Sequence, residues 1–83
     1  MNHDEILAQI NEIIAEMLDQ PDLKVSLTTT AADVEGWDSF THINIILAVE
    51  SRFGIRINTA EIEELHSVGH LVGLVEQKLK ARG

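Results

Sequence analysis

With 83 residues, no cysteine and 45% hydrophobic positions, the chain can build one modest core and has no disulfide or thiolate metal site to staple it. Fourteen acidic against six basic residues give a net charge of −8, which argues against a nucleic-acid partner and suits a protein that meets basic surfaces. The charge is uneven: residues 1–42 hold nine acids and one base (net −8), and residues 43–83 hold five of each (net 0).

The longest uninterrupted apolar run, residues 45–49, is far below the ~20 residues of a membrane-spanning helix. The start, Met1-Asn2-His3-Asp4-Glu5, is acidic and lacks the features of a signal peptide. The expectation is a single domain over 1–83, monomeric and cytoplasmic, with no transmembrane segment.

Ile6, Leu7, Ile10, Ile13, Ile14, Met17 and Leu18 recur at helical spacing, with acids between them. Asn2 and Glu5 form a capping-box pair at the start of this first helix, and Pro21 is expected to end it. Residues 20–38 read as a long connection without regular structure, interrupted by Ser26-Leu27-Thr28-Thr29-Thr30 and Glu35-Gly36. Val25, Leu27, Val34 and Trp37 are expected to pin it to the core, and loops of this length are often functional.

A second helix is expected over 39–52. Phe40, Ile43, Ile46, Leu47 and Phe53 follow the helical period, while Ile45, Ala48 and Val49 widen the apolar surface. A helix apolar on several sides is expected at the centre, packed against more than one neighbour. Gly54 suits a helix stop, and Ile55-Arg56-Ile57 alternates like a short extended piece. Asn58 and Glu61 open a short helix to about Leu65. Ser67 caps a last helix with Val68, Leu71, Val72, Val75 and Leu79 inward, and with Lys78, Lys80 and Arg82 complementing its dipole. Gly73 in its middle costs about 1 kcal/mol relative to Ala. The fold class is all-α: a small bundle of three main helices plus one short one, with the long loop between the first and second.

The chemically suggestive stretch is Gly36-Trp37-Asp38-Ser39-Phe40, a loop that ends in Asp-Ser where a helix begins. The plain reading is a cap, since Asp and Ser are both preferred there. Asp38 can fill that role, which leaves Ser39 at the first helical position with its hydroxyl toward solvent. Amide N–H groups and the positive end of the helix dipole suit a phosphate linkage at that point.

Those five residues, with Ile43, residues 45–49, Glu50, Phe53-Gly54-Ile55-Arg56-Ile57 and Leu65-His66-Ser67-Val68-Gly69-His70-Leu71, resemble the acyl carrier protein family over nearly the whole chain. The resemblance implies 4′-phosphopantetheine on Ser39, added from coenzyme A by a phosphopantetheinyl transferase that recognises Asp38. It implies a carrier without catalytic residues, holding acyl groups as thioesters for loading and accepting enzymes. Phe40, Glu50, Glu61, Glu63 and Glu64 are the expected docking residues.

Three departures point away from housekeeping fatty-acid synthesis. Phe40 stands where the family most often has Leu, the second helix sets Glu50 against Arg52 instead of being strongly acidic, and His70 stands where Asp or Glu is common. A specialised lipid, polyketide-like or surface-glycan acylation pathway fits better. A peptidyl or D-alanyl carrier loaded by an adenylating ligase remains open, as does an unmodified helical adaptor with Ser39 only a cap. A hydrolase centred on Ser39 lacks a base and an orienting acid.

His66 and His70 have the four-residue spacing of a metal face, but His66 precedes the cap Ser67 and is expected off that face, so no metal is expected. His3 and His42 read as surface residues and Trp37 as a loop anchor.

Overall fold

Asn2 and Glu5 begin the fold as expected. The Asn2 side chain accepts the Glu5 amide N–H at 2.9 Å, and the Glu5 carboxylate accepts that of Asn2 at 3.3 Å. The computed structural model describes residues 2–82 as helices α1 (His3–Met17), α2 (Ser39–Phe53), α3 (Thr59–Glu63) and α4 (Val68–Arg82), with a 3-10 turn over Ala31–Asp33. Among the described residues no strand forms, and no helix is long and apolar enough to cross a membrane.

Helix α1 is the spine. Ile6, Ile10, Ile13 and Ile14 are buried along one face, and the helix packs against both α2 and α4. This corrects the expectation that the second helix would be central. Of α2's apolar residues, Ile45, Ile46, Val49 and Phe53 are buried, whereas Phe40, Ile43 and Leu47 lie exposed. Periodicity groups Phe40, Ile43 and Leu47 with the inward residues, but no neighbouring element covers that side.

Helix α1 also stops earlier than Pro21 requires. Leu18 is the C-cap, Asp19 adopts a left-handed φ of 54°, and the Gln20 amide N–H returns to the Ala15 carbonyl at 2.9 Å. Those reversed bonds satisfy carbonyls at the helix end, so proline only follows a completed stop.

The connection over 20–38 is more ordered than expected. Thr30 and Asp33 close a small box around the 3-10 turn, and the Gln20 side chain donates to the Glu35 carbonyl at 2.9 Å. Asn11 on α1 acts as a two-way clamp, accepting the Val25 amide N–H at 2.6 Å and donating to the Leu23 carbonyl at 3.1 Å. Val34 is buried, and Val25 and Trp37 pack against the core. Leu27 is a correction: its side chain is 41% exposed, and it anchors the loop through its carbonyl, which accepts the Gly69 amide N–H at 2.8 Å.

At the other end of α2, Gly54 takes the expected left-handed turn at φ 65°. Ile55 and Ile57 are buried with Arg56 exposed between them. Helix α3 stops at Glu63, short of Leu65, and contributes no buried residue. Its Asn58–Glu61 box is formed, and Glu61 is further tied to Lys78 at 2.8 Å. Lys78 therefore joins α4 to α3, a role beyond the dipole complement expected of it. Helix α4 buries Val68, Leu71, Val72 and Val75 against α1.

Candidate functional site

The Gly36-Trp37-Asp38-Ser39-Phe40 stretch turns the chain sharply into α2. Gly36 has φ 89°, a region that disfavours any residue with a Cβ. Asp38 is then the N-cap: its Oδ1 accepts the Thr41 amide N–H at 2.8 Å, and its carbonyl accepts that of His42 at 2.9 Å. The Thr41 amide is the main reason that the Asp38 carboxyl sits below the ordinary 3.8, so it is ionised at neutral pH.

With the cap supplied by Asp38, Ser39 occupies the first helical position. It is exposed, and its hydroxyl makes no hydrogen bond among the described residues. A hydroxyl that is accessible, unbonded and set at the positive end of a 15-residue helix fits a covalent phosphodiester. Ser39 would hold the group, and Asp38 would stand beside it as a fixed negative charge.

Phe40 is 78% exposed directly beside Ser39. Ile43 and Leu47 continue from it one and two turns along α2, making an apolar stripe that leads away from Ser39. Sequence periodicity marks these residues as apolar without indicating that they are uncovered.

The carboxylates expected to dock a partner divide into two kinds. Glu63 and Glu64 are exposed at the end of α3. Glu50 is half-buried, and its Oε2 accepts the Ile57 amide N–H at 2.8 Å. Glu61 closes its own capping box and binds Lys78, and these bonds hold its carboxyl below the ordinary value, the Lys78 contact contributing most. Glu50 and Glu61 are thus engaged within the chain.

Three histidines are less simple than the sequence suggests. His42 is a half-buried partner rather than a plain surface residue: Trp37 donates its indole N–H to His42 Nδ1 at 3.1 Å, and burial lowers the ring's pKa from 6.5. His66 and His70, expected apart, meet edge to face with ring centroids 5.6 Å apart, and the His66 amide N–H donates to His70 Nδ1 at 3.2 Å. Ser67 caps α4 as expected, accepting the His70 amide N–H at 3.3 Å. No group of three metal-ligating side chains exists among the described residues. His3 is exposed and contacts Glu76 at 3.3 Å.

Gly69 is the residue that a reading of the sequence most easily misses. A Cβ there would lie 2.7 Å from the Leu27 carbonyl oxygen, so only glycine allows the loop and α4 to approach this closely. A glycine in the first turn of a helix is the available signal.

The family described as "Phosphopantetheine attachment site" matches residues 8–75, a span that contains Ser39. The chain is similar to the acyl carrier protein of Thermotoga maritima, with 30% identity over 78 residues, covering 94% of this chain and 96% of that one. It is also similar to the acyl carrier protein of Petrotoga mobilis, with 32% identity over 79 residues, covering 95% and 93%. The solution structure of the holo acyl carrier protein from Geobacter metallireducens superposes with a TM-score of 0.86 at 30% identity, covering 93% of this chain and 88% of that one. The crystal structure of the Thermotoga maritima acyl carrier protein gives a TM-score of 0.87 at 26% identity, covering 100% and 96%. The chain belongs to the acyl carrier protein family, a carrier rather than an enzyme, with covalently attached 4′-phosphopantetheine as its cofactor.

Proposed function

We propose that residues 1–83 act as one carrier domain in which Ser39 bears the phosphopantetheine arm and delivers thioester-bound acyl groups to partner enzymes in a specialised pathway of the cytoplasm. The observation that carries the assignment is the exposed, unbonded Ser39 hydroxyl at the start of α2, beside a cap already supplied by Asp38. In the transfer, the Ser39 oxygen gives up its proton to a base of the transferase or to water and bonds to the pantetheine-side phosphorus of coenzyme A's pyrophosphate; the P–O bond to the nucleotide half breaks, and that half leaves as a phosphate carrying the electron pair. Asp38, ionised and exposed, is the recognition element for the transferase.

Partners dock on the apolar stripe of Phe40, Ile43 and Leu47, with Asp33, Glu35, Glu63 and Glu64 as an exposed acidic rim. The specialised pathway is supported by the electrostatics of α2. Glu50 is engaged with Ile57, while Arg52 reaches Glu12 of α1 at 3.8 Å, so the helix offers a partner little free charge. Such a face recognises partners by shape and apolar contact more than by charge steering.

Intact mass after co-expression with a broad-specificity phosphopantetheinyl transferase tests the site. One phosphopantetheinyl group is expected on the wild type and none on Ser39→Ala; modification elsewhere, or none with several transferases, overturns it. Offering the holo-protein to general fatty-acid enzymes and to aminoacyl-adenylating ligases then tests the pathway. Slow malonyl loading is expected, and efficient loading would return the chain to a housekeeping role.

A further inference from the structure

Helix α3 has five residues and buries none of them. A helix that short does not hold itself together in water. Ile62, and Leu65 just past its end, are only partly buried against the core. Polar contacts must therefore do much of the placing.

Two such contacts reach it from the main helices. From α2, Glu50 Oε2 accepts the Ile57 amide N–H at 2.8 Å and moors the chain as it enters α3. From α4, the Lys78 ammonium donates to Glu61 Oε1 at 2.8 Å, with side chains only 25% and 27% exposed. The same Oε1 accepts the Asn58 amide N–H at 3.0 Å. Lys78 thus grips an atom already built into the α3 capping box, and the grip passes to the helix backbone. Grooves of about 590 and 330 Å³ run between α3 and α4, and Glu61 lines both. Lys80, the next cation along α4, is exposed and makes no such contact among the described residues.

Glu50 also relates α3 to the apolar stripe. It follows Leu47 by three residues and Ile43 by seven, so it shares their side of α2. The start of α3 is moored at that edge, and Glu63 and Glu64 stand exposed at its far end. How they stand depends on the second tie. We propose that Lys78 is a positioning residue for partner docking: by gripping Glu61 it holds α3 against α4, and so keeps Glu63 and Glu64 in place as the rim of the stripe formed by Phe40, Ile43 and Leu47. Glu61 then serves docking through α3 rather than by meeting the partner. The docking role rests on the carrier reading; the tie between α3 and α4 does not.

A helix with no buried residue lies close to balance with its opened form, so losing one tie shifts a sizeable share of molecules. Amide hydrogen exchange, followed by NMR on the unmodified full chain, tests the tie. In Lys78→Met the Ile62, Glu64 and Leu65 amides should exchange about fivefold faster, the size expected for one half-buried charged contact, and Lys78→Arg should restore them. The Asp33 and Val34 amides, bonded within the 3-10 turn, should not change. Glu61→Gln can still close the capping box but offers Lys78 no charge, so it repeats the test from the α3 side should Lys78→Met fail to fold.

The docking role is read with a broad-specificity phosphopantetheinyl transferase and coenzyme A, as initial rate against carrier concentration. Lys78→Met should raise the half-saturating concentration about two- to threefold as the docking-competent fraction falls, with the plateau unchanged. In a Glu63→Gln/Glu64→Gln background the placement of α3 no longer matters, so Lys78→Met should add nothing there. A merely structural lysine would add the same loss in both backgrounds, and that result would overturn the positioning role. Unchanged exchange at Ile62, Glu64 and Leu65 in Lys78→Met would overturn the tie itself. No transfer to the wild type would sink the carrier reading and the docking role together, while the exchange rates would still decide the tie.

Discussion

Helices α1 and α2 have the same length and similar apolar content, yet they do opposite work. Helix α1 hides its isoleucines between two neighbours and leaves only Met17, at its end, as a large exposed hydrophobic residue. Helix α2 buries four residues and leaves Phe40, Ile43 and Leu47 uncovered, beginning right beside Ser39. One helix supplies stability and the other supplies a surface. The apolar positions that a folding argument would call excess are those that a carrier can offer to its partners.

Removing a buried isoleucine from the spine should have the largest effect. Ile14 is fully buried on α1, and Ile14→Ala should lower stability by about 2–5 kcal/mol through lost transfer energy and the cavity left behind. Urea unfolding would measure it. A loss no larger than that of an exposed α2 residue would erase the distinction between the helices.

How much of this is legible in the sequence follows from the same distinction. Capping pairs at Asn2–Glu5 and Asn58–Glu61, the Gly54 stop and the Asp38–Ser39 helix start rely on local geometry, and all appear where the residues place them. Which apolar face gets covered is a tertiary question: periodicity groups Phe40, Ile43 and Leu47 with the inward residues and puts α2 at the centre, and only the family resemblance, which makes Phe40 a docking residue, reads one of the three as outward. Histidine roles escape the sequence for a similar reason. The acceptor function of His42 exists only because Trp37 folds back over it, and that of His70 because the turn before α4 brings His66 round.

Helix α4 repeats the contrast on a smaller scale, with one glycine against backbone and another facing open space. Gly69→Ala would drive a Cβ to within 2.7 Å of the Leu27 carbonyl oxygen, and its cost should be about 1–3 kcal/mol as the loop is pushed away. A methyl added at Gly73 would meet nothing within 4 Å, so Gly73→Ala should add up to about 1 kcal/mol from helix propensity alone. Thermal unfolding of the two variants should move in opposite directions. Equal shifts would mean that the loop is not held against α4 in solution.

Acid should weaken the Asp38 cap that presents Ser39. Its folded pKa lies below the ordinary 3.8, so the stabilisation is fully present above that value. It is lost as pH falls through the lower folded value, where the proton removes the charge that the Thr41 amide N–H favours. Asp38→Asn keeps a capping oxygen but does not titrate, so this component of the pH dependence should disappear from its unfolding curves below about pH 4, the ordinary carboxylate range. Identical slopes for wild type and variant would place the acid sensitivity elsewhere.

The smallest effect on stability should come from the residue nearest Ser39, and there it carries the most functional meaning. Phe40 is 78% exposed, so Phe40→Ala removes almost no buried surface, and Ala is the better helix former. The unfolding free energy should change by no more than about 0.5 kcal/mol, as for other surface substitutions. An exposed aromatic beside the proposed attachment serine gains its burial only when a partner covers it. Transfer of acyl groups to and from the arm by a cognate enzyme should therefore slow in the variant, chiefly through weaker docking, with the bound complex still reacting at its usual rate. A titration of initial rate against carrier concentration separates these cases, since weaker docking raises the half-saturating concentration and leaves the plateau in place. A large loss of stability in Phe40→Ala would mean that the ring packs within the chain. An unchanged half-saturation would move the docking surface off this side of α2.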